Sequence, residues 1–250
     1  MKIVKFTKKK NGQYLLLLED DRKITLHEDL ILKRDLLLKK EINEDAIISL
    51  IAENNNYLAY DNAIKYIGIK MRSILELEEY LKKKEIDEEV IQETIEKLIN
   101  QGYLNDKIYS NSYVNDRINL SNDGPLKIAE FLMKNKIDSR VVEEALSNFN
   151  KEIEYEKIQK LINKQVKQNT NKGSYLLKQK ILSNLIGLGY HRELIIECLE
   201  HLEFDEQDIY IKEYQKIYDK LSKKYSGKEL DYKIRQKLYQ KGFKNINIDI

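Results

Sequence analysis

The side chains in this 250-residue chain best suited to hold a metal or attack an electrophile are His27, His191, His201 and Cys198. Zinc takes cysteines and histidines at short fixed spacings, or two histidines four residues apart on a helix, and neither pattern occurs. His191 and Cys198 read as a polar helix start and a small buried side chain. Gly187-Leu188-Gly189 lacks the third glycine of a dinucleotide loop, and no Gly-Lys-Ser/Thr phosphate loop is present. The acidic groups Glu76, Glu78, Glu79 and Asp87, Glu88, Glu89 have carboxylates for acid–base work. With no companion site, they read better as helix-terminus and surface charges. The expectation is a protein that is not an enzyme and has no catalytic residues, cofactor or metal.

Binding chemistry is better represented. The 17 tyrosines, among them Tyr66, Tyr80, Tyr103, Tyr109 and Tyr113, offer flat faces that stack on bases or bury between helices, and packing is the favoured reading. Residues 51–150 hold 13 Lys/Arg against 18 Asp/Glu, whereas residues 151–250 hold 20 against 15. A basic second half suits phosphate or an acidic protein surface, and solvated helix faces are the alternative. Seven arginines against 37 lysines give many point charges and few bidentate forks, which argues against base-specific DNA reading.

The elements that would position these residues repeat. Leu81, Leu132, Leu185 and Leu238 fall at spacings of 51, 53 and 53. The same register aligns Leu77 with Ile128, Ile181 and Ile234, and Ile86 with Ile137, Tyr190 and Phe243. Each copy reads as three helices. In the first, Ser73 and Glu76 form a capping box, Asp87 caps the following helix, and Gly102 ends it. In the second, Tyr109 to about Leu120 is helix one, Gly124-Pro125 opens helix two, and Asp138 caps helix three. Glu152 to about Gln168, Ser174 to Gly187 and the stripe from Ile195 make the third copy, and Asp208–Lys224 and Lys228–Lys241 a fourth without its last helix. Units this short bury their apolar stripes only by stacking, so the fold class is mainly α, an elongated tandem array of three-helix repeats.

A different pattern precedes the array. Val4 and Phe6, then Tyr14, Leu16 and Leu18, then Ile24 and Leu26 alternate with period two, with turn residues at Asn11-Gly12 and Asp20-Asp21. This predicts a three-stranded meander, too small to stand alone. The run Leu30–Ile42 and a helix from Asn43 to about Glu53 are expected to dock it, with a boundary at Asn54-Asn55-Asn56. The expected division is a leader over residues 1–54, repeats over 55–104, 105–150 and 151–204, and a partial repeat over 205–250. No stretch approaches the roughly 20 apolar residues of a membrane span. The single cysteine fits a reducing compartment, so a soluble, cytoplasmic, monomeric protein is expected.

One stretch carries a family resemblance. Lys70-Met71-Arg72-Ser73-Ile74-Leu75-Glu76-Leu77, then Gly102-Tyr103-Leu104-Asn105-Asp106, Tyr109, Tyr113-Val114 and Arg117, then Gly124-Pro125 and Ile128, resemble the RecX regulators of RecA. The resemblance covers about residues 57–250, and the strand-rich leader is similar to that of longer members from low-GC bacteria. Lys70 stands where the family usually has Arg, Asn105 where Asp is usual, and Glu85 and Lys136 where Gly commonly ends helix two. The resemblance implies a bacterial modulator of homologous recombination, DNA repair and the SOS response. Such a protein binds along the groove of the RecA filament on single-stranded DNA, restrains ATP hydrolysis and strand exchange, and favours filament disassembly. On this reading the contact residues are Lys70, Arg72, Arg117, Lys178, Lys180 and Arg192, with weak direct DNA contact and no membrane partner. For each of them, helix capping or solvated charge is the competing role. A stand-alone helical-repeat nucleic-acid-binding protein is the alternative function.

Overall fold

The computed structural model describes residues 1–10, 12–39 and 41–244, and its backbone divides into two compact units, Met1–Tyr109 and Ser110–Ile250. Asn11 of the expected turn and residues 245–250 of the partial repeat lie outside the described residues.

In the first unit, β1 (Ile3–Lys8), β2 (Gln13–Leu18) and β3 (Lys23–His27) form an antiparallel meander in the order β1-β2-β3. Leu16 lies between Phe6 and Ile24, and Tyr14 between Lys8 and Leu26. Of the residues expected to alternate inward, Leu16, Leu18 and Leu26 are inside, against Leu30 and Ile31 of α1 (Glu28–Lys33) and Ile47 and Leu50 of α2 (Glu44–Ile67), whereas Val4, at a register shift between Ile3 and Lys5, is exposed. The Met1 and Ile42 backbones exchange two hydrogen bonds, 2.8 and 2.9 Å, which tie the strand start to the segment before α2.

The helix expected to end near Glu53 instead runs through Asn54-Asn55-Asn56 to Ile67. Asn43 does cap it, accepting the Ala46 N–H at 2.8 Å. Asparagine breaks helices chiefly by competing for nearby backbone groups. Asn54 is buried and turned across to β3, where its carbonyl accepts the His27 N–H at 2.7 Å and its amide donates to the Thr25 carbonyl at 3.4 Å. With its bonds made elsewhere, it leaves the α2 ladder intact. The same helix then presents Ala63 to a second core, built with Leu77 and Leu81 of α3 (Ile74–Lys82) and Ile91, Ile95 and Leu98 of α4 (Glu88–Asn100).

The second unit holds most of α5 (Asp106–Leu120), then α6 (Pro125–Lys134), α7 (Ser139–Leu146), α8 (Lys151–Lys167), α9 (Ser174–Gly187), α10 (Arg192–Glu200), α11 (Gln207–Leu221) and α12 (Gly227–Gln240). No helix among the described residues is long and apolar enough to cross a membrane.

The aligned leucines have one structural cause. Helix two of each copy ends in a Schellman motif, in which the N–H just after a positive-φ residue reaches back to the carbonyl of the register leucine. The donors are Ile86 to Leu81 (3.4 Å), Ile137 to Leu132 (3.3 Å), Tyr190 to Leu185 (3.2 Å) and Phe243 to Leu238 (3.2 Å). The intervening residue takes positive φ: Glu85 58°, Lys136 56°, Gly189 86° and Gly242 93°. The first two carry a side chain in a region that costs roughly 1–2 kcal/mol for L-residues. Leu81, Leu132, Leu185 and Leu238 are at most 3 % exposed, so truncation of any one to alanine is expected to cost about 2–5 kcal/mol.

Helix starts follow the sequence reading in part. The Ser73/Glu76 capping box is present, and Asp138 accepts the Arg140 N–H at 2.9 Å. Asp87 occupies the N-cap of α4 but its side chain makes no cap bond. His191 is the N-cap of α10, and its backbone N–H (2.8 Å) and ring Nδ1 (2.9 Å) both meet the buried Glu154 carboxylate. Cys198 is buried, as are its register mates Thr94 and Ala145, and burial pushes the thiol up to about 11.

Two seams join helices within the second unit. The Gly124 N–H donates to the Leu188 carbonyl at 2.7 Å, and the Leu126 N–H to the Gly189 carbonyl at 2.9 Å. One repeat later, the Gly173 N–H donates to the Lys241 carbonyl at 2.9 Å. A Cβ on Gly124 would stand 2.5 Å from Gly189 backbone atoms, and one on Gly173 2.5 Å from those of Gly242. Glycine is required there because backbone meets backbone.

Candidate functional site

Three of the six basic residues expected to make contacts, Lys70, Arg72 and Arg117, belong to a cation–aromatic device that occurs twice. In the first copy, Tyr66 at the end of α2 stacks on Tyr80 of α3 with ring centroids 4.0 Å apart, and the Arg72 guanidinium lies 4.1 Å over the Tyr66 ring. Arg72 Nη1 also reaches Glu76 Oε1 at 3.5 Å, and Lys70 Nζ approaches the same oxygen at 3.9 Å. Glu76 Oε2 meanwhile accepts the Ser73 N–H at 3.0 Å, so one carboxylate closes the capping box and anchors both cations.

In the second copy, Tyr113 of α5 stacks on Phe131 of α6 at 4.4 Å, and the Arg117 guanidinium lies 4.7 Å over Tyr113. Burial pushes the Tyr113 phenol above its ordinary range against the nearby Arg117. Arg117 also faces Asp123 at 3.7 Å, and Asp123 takes a 2.7 Å ion pair from Lys127. Each cation over a ring is worth about 0.5–2 kcal/mol, more where water is excluded. The third copy keeps the position and changes the chemistry: Asn184 of α9 occupies the register of Phe131 and donates its amide to Gln165 of α8 at 2.9 Å.

The six residues expected at a contact surface fall into different environments. Arg72 is largely buried, its side chain 15 % exposed, and its Nε has no hydrogen-bond partner among the described residues. It supports the stack. Lys70, at 61 %, extends outward from the same carboxylate, and Arg117 is half-exposed. Lys178 is committed to structure, donating from Nζ to the Leu199 carbonyl at 2.8 Å near the end of α10. Lys180 and Arg192 are exposed. The structure therefore brings Lys70 and Arg72 together and sets Lys178 apart from Lys180. Sequence reasoning missed Phe131 as a stacking partner, although its 51-residue spacing from Tyr80 equals that of Leu81 and Leu132.

Two further contacts fix where α3 and α9 begin. Asp106 Oδ1 accepts the Ile74 N–H at 3.0 Å, and Glu206 accepts the Ser174 N–H, each acid standing 32 residues beyond its donor. Burial raises the Asp106 carboxyl against the pull of the Ile74 N–H. At the matching place in the second copy, Pro125 has no N–H to satisfy. Lys157, 32 residues on, instead donates from Nζ to the carbonyls of Ile118 in the last turn of α5 and Ser121 just past it. Among the described residues no group of three His, Cys, Asp or Glu side chains gathers as a metal would require.

Comparison with known proteins places this geometry. Residues 59–98 match the model of the first three-helix domain of RecX, and residues 105–146 that of the second. The regulatory protein RecX of Bacillus mycoides (strain KBAB4) is 33 % identical over 232 residues, 90 % of this chain and 85 % of that one. The Bacillus cytotoxicus protein of the same name is 34 % identical over 225 residues, 88 % and 83 % of the two chains. A crystal structure of regulatory protein RecX superposes with a TM-score of 0.66 at 24 % identity over 80 % of this chain and all of that one. That of RecX from Lactobacillus salivarius gives 0.57 at 29 % identity over 60 % of this chain and 97 % of the other.

Proposed function

The chain belongs to the RecX family of regulatory proteins, and from that premise we propose that it modulates the RecA recombinase. It binds as a monomer along the groove of the RecA filament on single-stranded DNA, in the cytoplasm and without catalysis of its own. Binding there restrains ATP hydrolysis and strand exchange and favours disassembly during recombination, repair and the SOS response. The observation that carries this reading is the paired match of both three-helix domains inside a relationship spanning 90 % of the chain.

The repeated device supports it physically. A filament offers the same surface at each protomer, and this chain carries an arginine–aromatic stack in each of two successive sequence repeats, beside which a cation is exposed for contact. Lys70 and Arg117, and then Lys180 and Arg192, are the proposed contacts. Arg72 and Lys178 hold the scaffold that positions them. Contacts linked in one chain add through effective concentration, so the loss of repeats weakens binding steeply. A chain ending after residue 150 is expected to bind RecA filaments far more weakly than the full chain in co-sedimentation at fixed salt. Equal affinity of the two would rule out the spanning mode.

A further inference from the structure

One face of α8 has no counterpart in the contacts assigned above. Lys157, Lys160, Lys164 and Lys167 recur at helical spacing along it, a stripe that rises roughly 15 Å at about 1.5 Å per residue. They line two grooves, of about 510 and 690 Å³, that share Glu156, Lys160 and Lys164. The opposite wall of the first is the end of α5 with Asn119, Leu120 and Asn122.

Some helix lysines elsewhere are paired with a carboxylate one turn away, as in Lys82–Glu78 (2.7 Å), Lys127–Asp123 (2.7 Å) and Lys134–Glu130 (2.8 Å). The side chains of Lys160, Lys164 and Lys167 are exposed and make no ion pair or hydrogen bond among the described residues. Lys164 and Lys167 stand in the last turn, where the helix dipole favours cations, but Lys160 lies mid-helix and gains nothing from it. Lys157 is fixed by the two carbonyls it caps. Its ammonium is pushed below the ordinary lysine range by burial and by the repulsion of Lys160, against the pull of Asp123. Four lysines against the single carboxylate of Glu156 leave the groove walls with a net positive charge.

We propose that this α5–α8 groove holds the phosphodiester backbone of a nucleic-acid strand, with Lys160, Lys164 and Lys167 as the phosphate contacts and Asn119, Asn122 and Asn163 as flanking amide donors. A polyanion with closely spaced charges suits a stripe of point charges. Among the described residues no aromatic side chain lines either groove, so bases are neither stacked nor read there and binding is independent of sequence. The proposal does not depend on recombinase binding.

The test is fluorescence anisotropy of a labelled oligo(dT) with the full chain, without recombinase, across a salt series. The variant K160Q/K164Q/K167Q is compared with K223Q/K224Q/K228Q, which removes equal charge from exposed lysines elsewhere in the second unit. All these side chains are exposed, and circular dichroism checks that both variants fold. For single strands each phosphate contact contributes about 0.7 to the slope of log K against log salt. The groove variant should therefore lose about 2 from the slope and roughly a hundredfold in affinity near 0.1 M salt, while the control keeps the wild-type slope. Equal losses in the two variants, or a flat salt response of the wild type, would overturn the proposal. So would displacement of oligo(dT) by oligoglutamate charge for charge, which would assign the groove to an acidic protein segment.

Discussion

Replacing Gly124 by alanine should open the seam between α6 and the α9–α10 turn while leaving each helix intact. The new methyl would lie 2.5 Å from the carbonyl carbon and oxygen of Gly189 and 2.6 Å from the Tyr190 nitrogen. Carbon contacts settle near 3.5–4.0 Å, so the two backbones must part by about 1 Å. The bonds from Gly124 N–H to Leu188 and from Leu126 N–H to Gly189, now 2.7 and 2.9 Å, would then pass the roughly 3.2 Å limit of a good N–H···O bond. Each contributes about 0.5–1.5 kcal/mol, and the buried Gly124 N–H left unpaired adds a penalty of about 1–3 kcal/mol. The expected loss is about 3 kcal/mol. In a repeat protein this falls on the interface between neighbours, so the urea transition followed by circular dichroism should broaden as well as shift. Hydrogen exchange should speed first at the 124 and 126 amides. The control is Gly187→Ala, where nothing lies within 4 Å of the new methyl; it should change stability by less than about 1 kcal/mol, in the favourable direction. A Gly124→Ala protein indistinguishable from wild type in midpoint and slope would refute the close approach on which the seam rests.

Further outcomes are expected elsewhere. Lys136→Gly relieves a side chain at φ 56° and should raise the urea-unfolding free energy by up to about 1 kcal/mol; a loss would mean that the Lys136 side chain stabilises the turn. Tyr190→Phe removes a buried hydroxyl without a partner among the described residues, which burial and the Glu154 carboxylate push up to about 12; thermal unfolding should show no loss and up to about 1 kcal/mol of gain. Glu213→Gln tests the pair with Lys216 and Lys241. Burial raises this carboxyl, the two ammonium groups outweigh burial, and the folded value falls below the ordinary one. Its stabilisation is therefore full above the unfolded value and is lost as pH falls through the folded value. With both lysines partly exposed, the variant should cost about 1 kcal/mol at neutral pH and lose its difference from wild type in acid, as read by urea titrations at both pH values.

Much of this structure was legible before any coordinates. The register of Leu81, Leu132, Leu185 and Leu238 located the end of helix two in each copy because a Schellman motif demands an apolar pair across a positive-φ residue. The leader strands were readable from the apolar runs between the turn residues Asn11-Gly12 and Asp20-Asp21, whereas Tyr14–Leu18 is apolar at every position and only the structure turns Leu16 and Leu18 inward. Asn54-Asn55-Asn56 misled because propensity sees only local competition, whereas the Asn54 side chain is occupied across the core by His27 and Thr25. Asp87 was placed correctly and still makes no cap bond, since the sequence position does not set the rotamer. Among the candidate contacts, a lysine that caps a helix end, Lys178, and one that faces solvent, Lys180, look alike in sequence; only the carbonyl of Leu199 separates them. The glycine seams were hidden for a related reason. Gly124 and Gly189 are 65 residues apart, and nothing local marks either as touching the other.

The central proposal, action on a recombinase filament, is tested most directly by the rate of ATP hydrolysis by RecA on saturating single-stranded DNA as this chain is titrated at physiological salt. Saturating DNA removes simple competition for the strand. Dose-dependent suppression at less than one chain per RecA protomer is the predicted result, and an ATPase rate unchanged across the whole titration would contradict it.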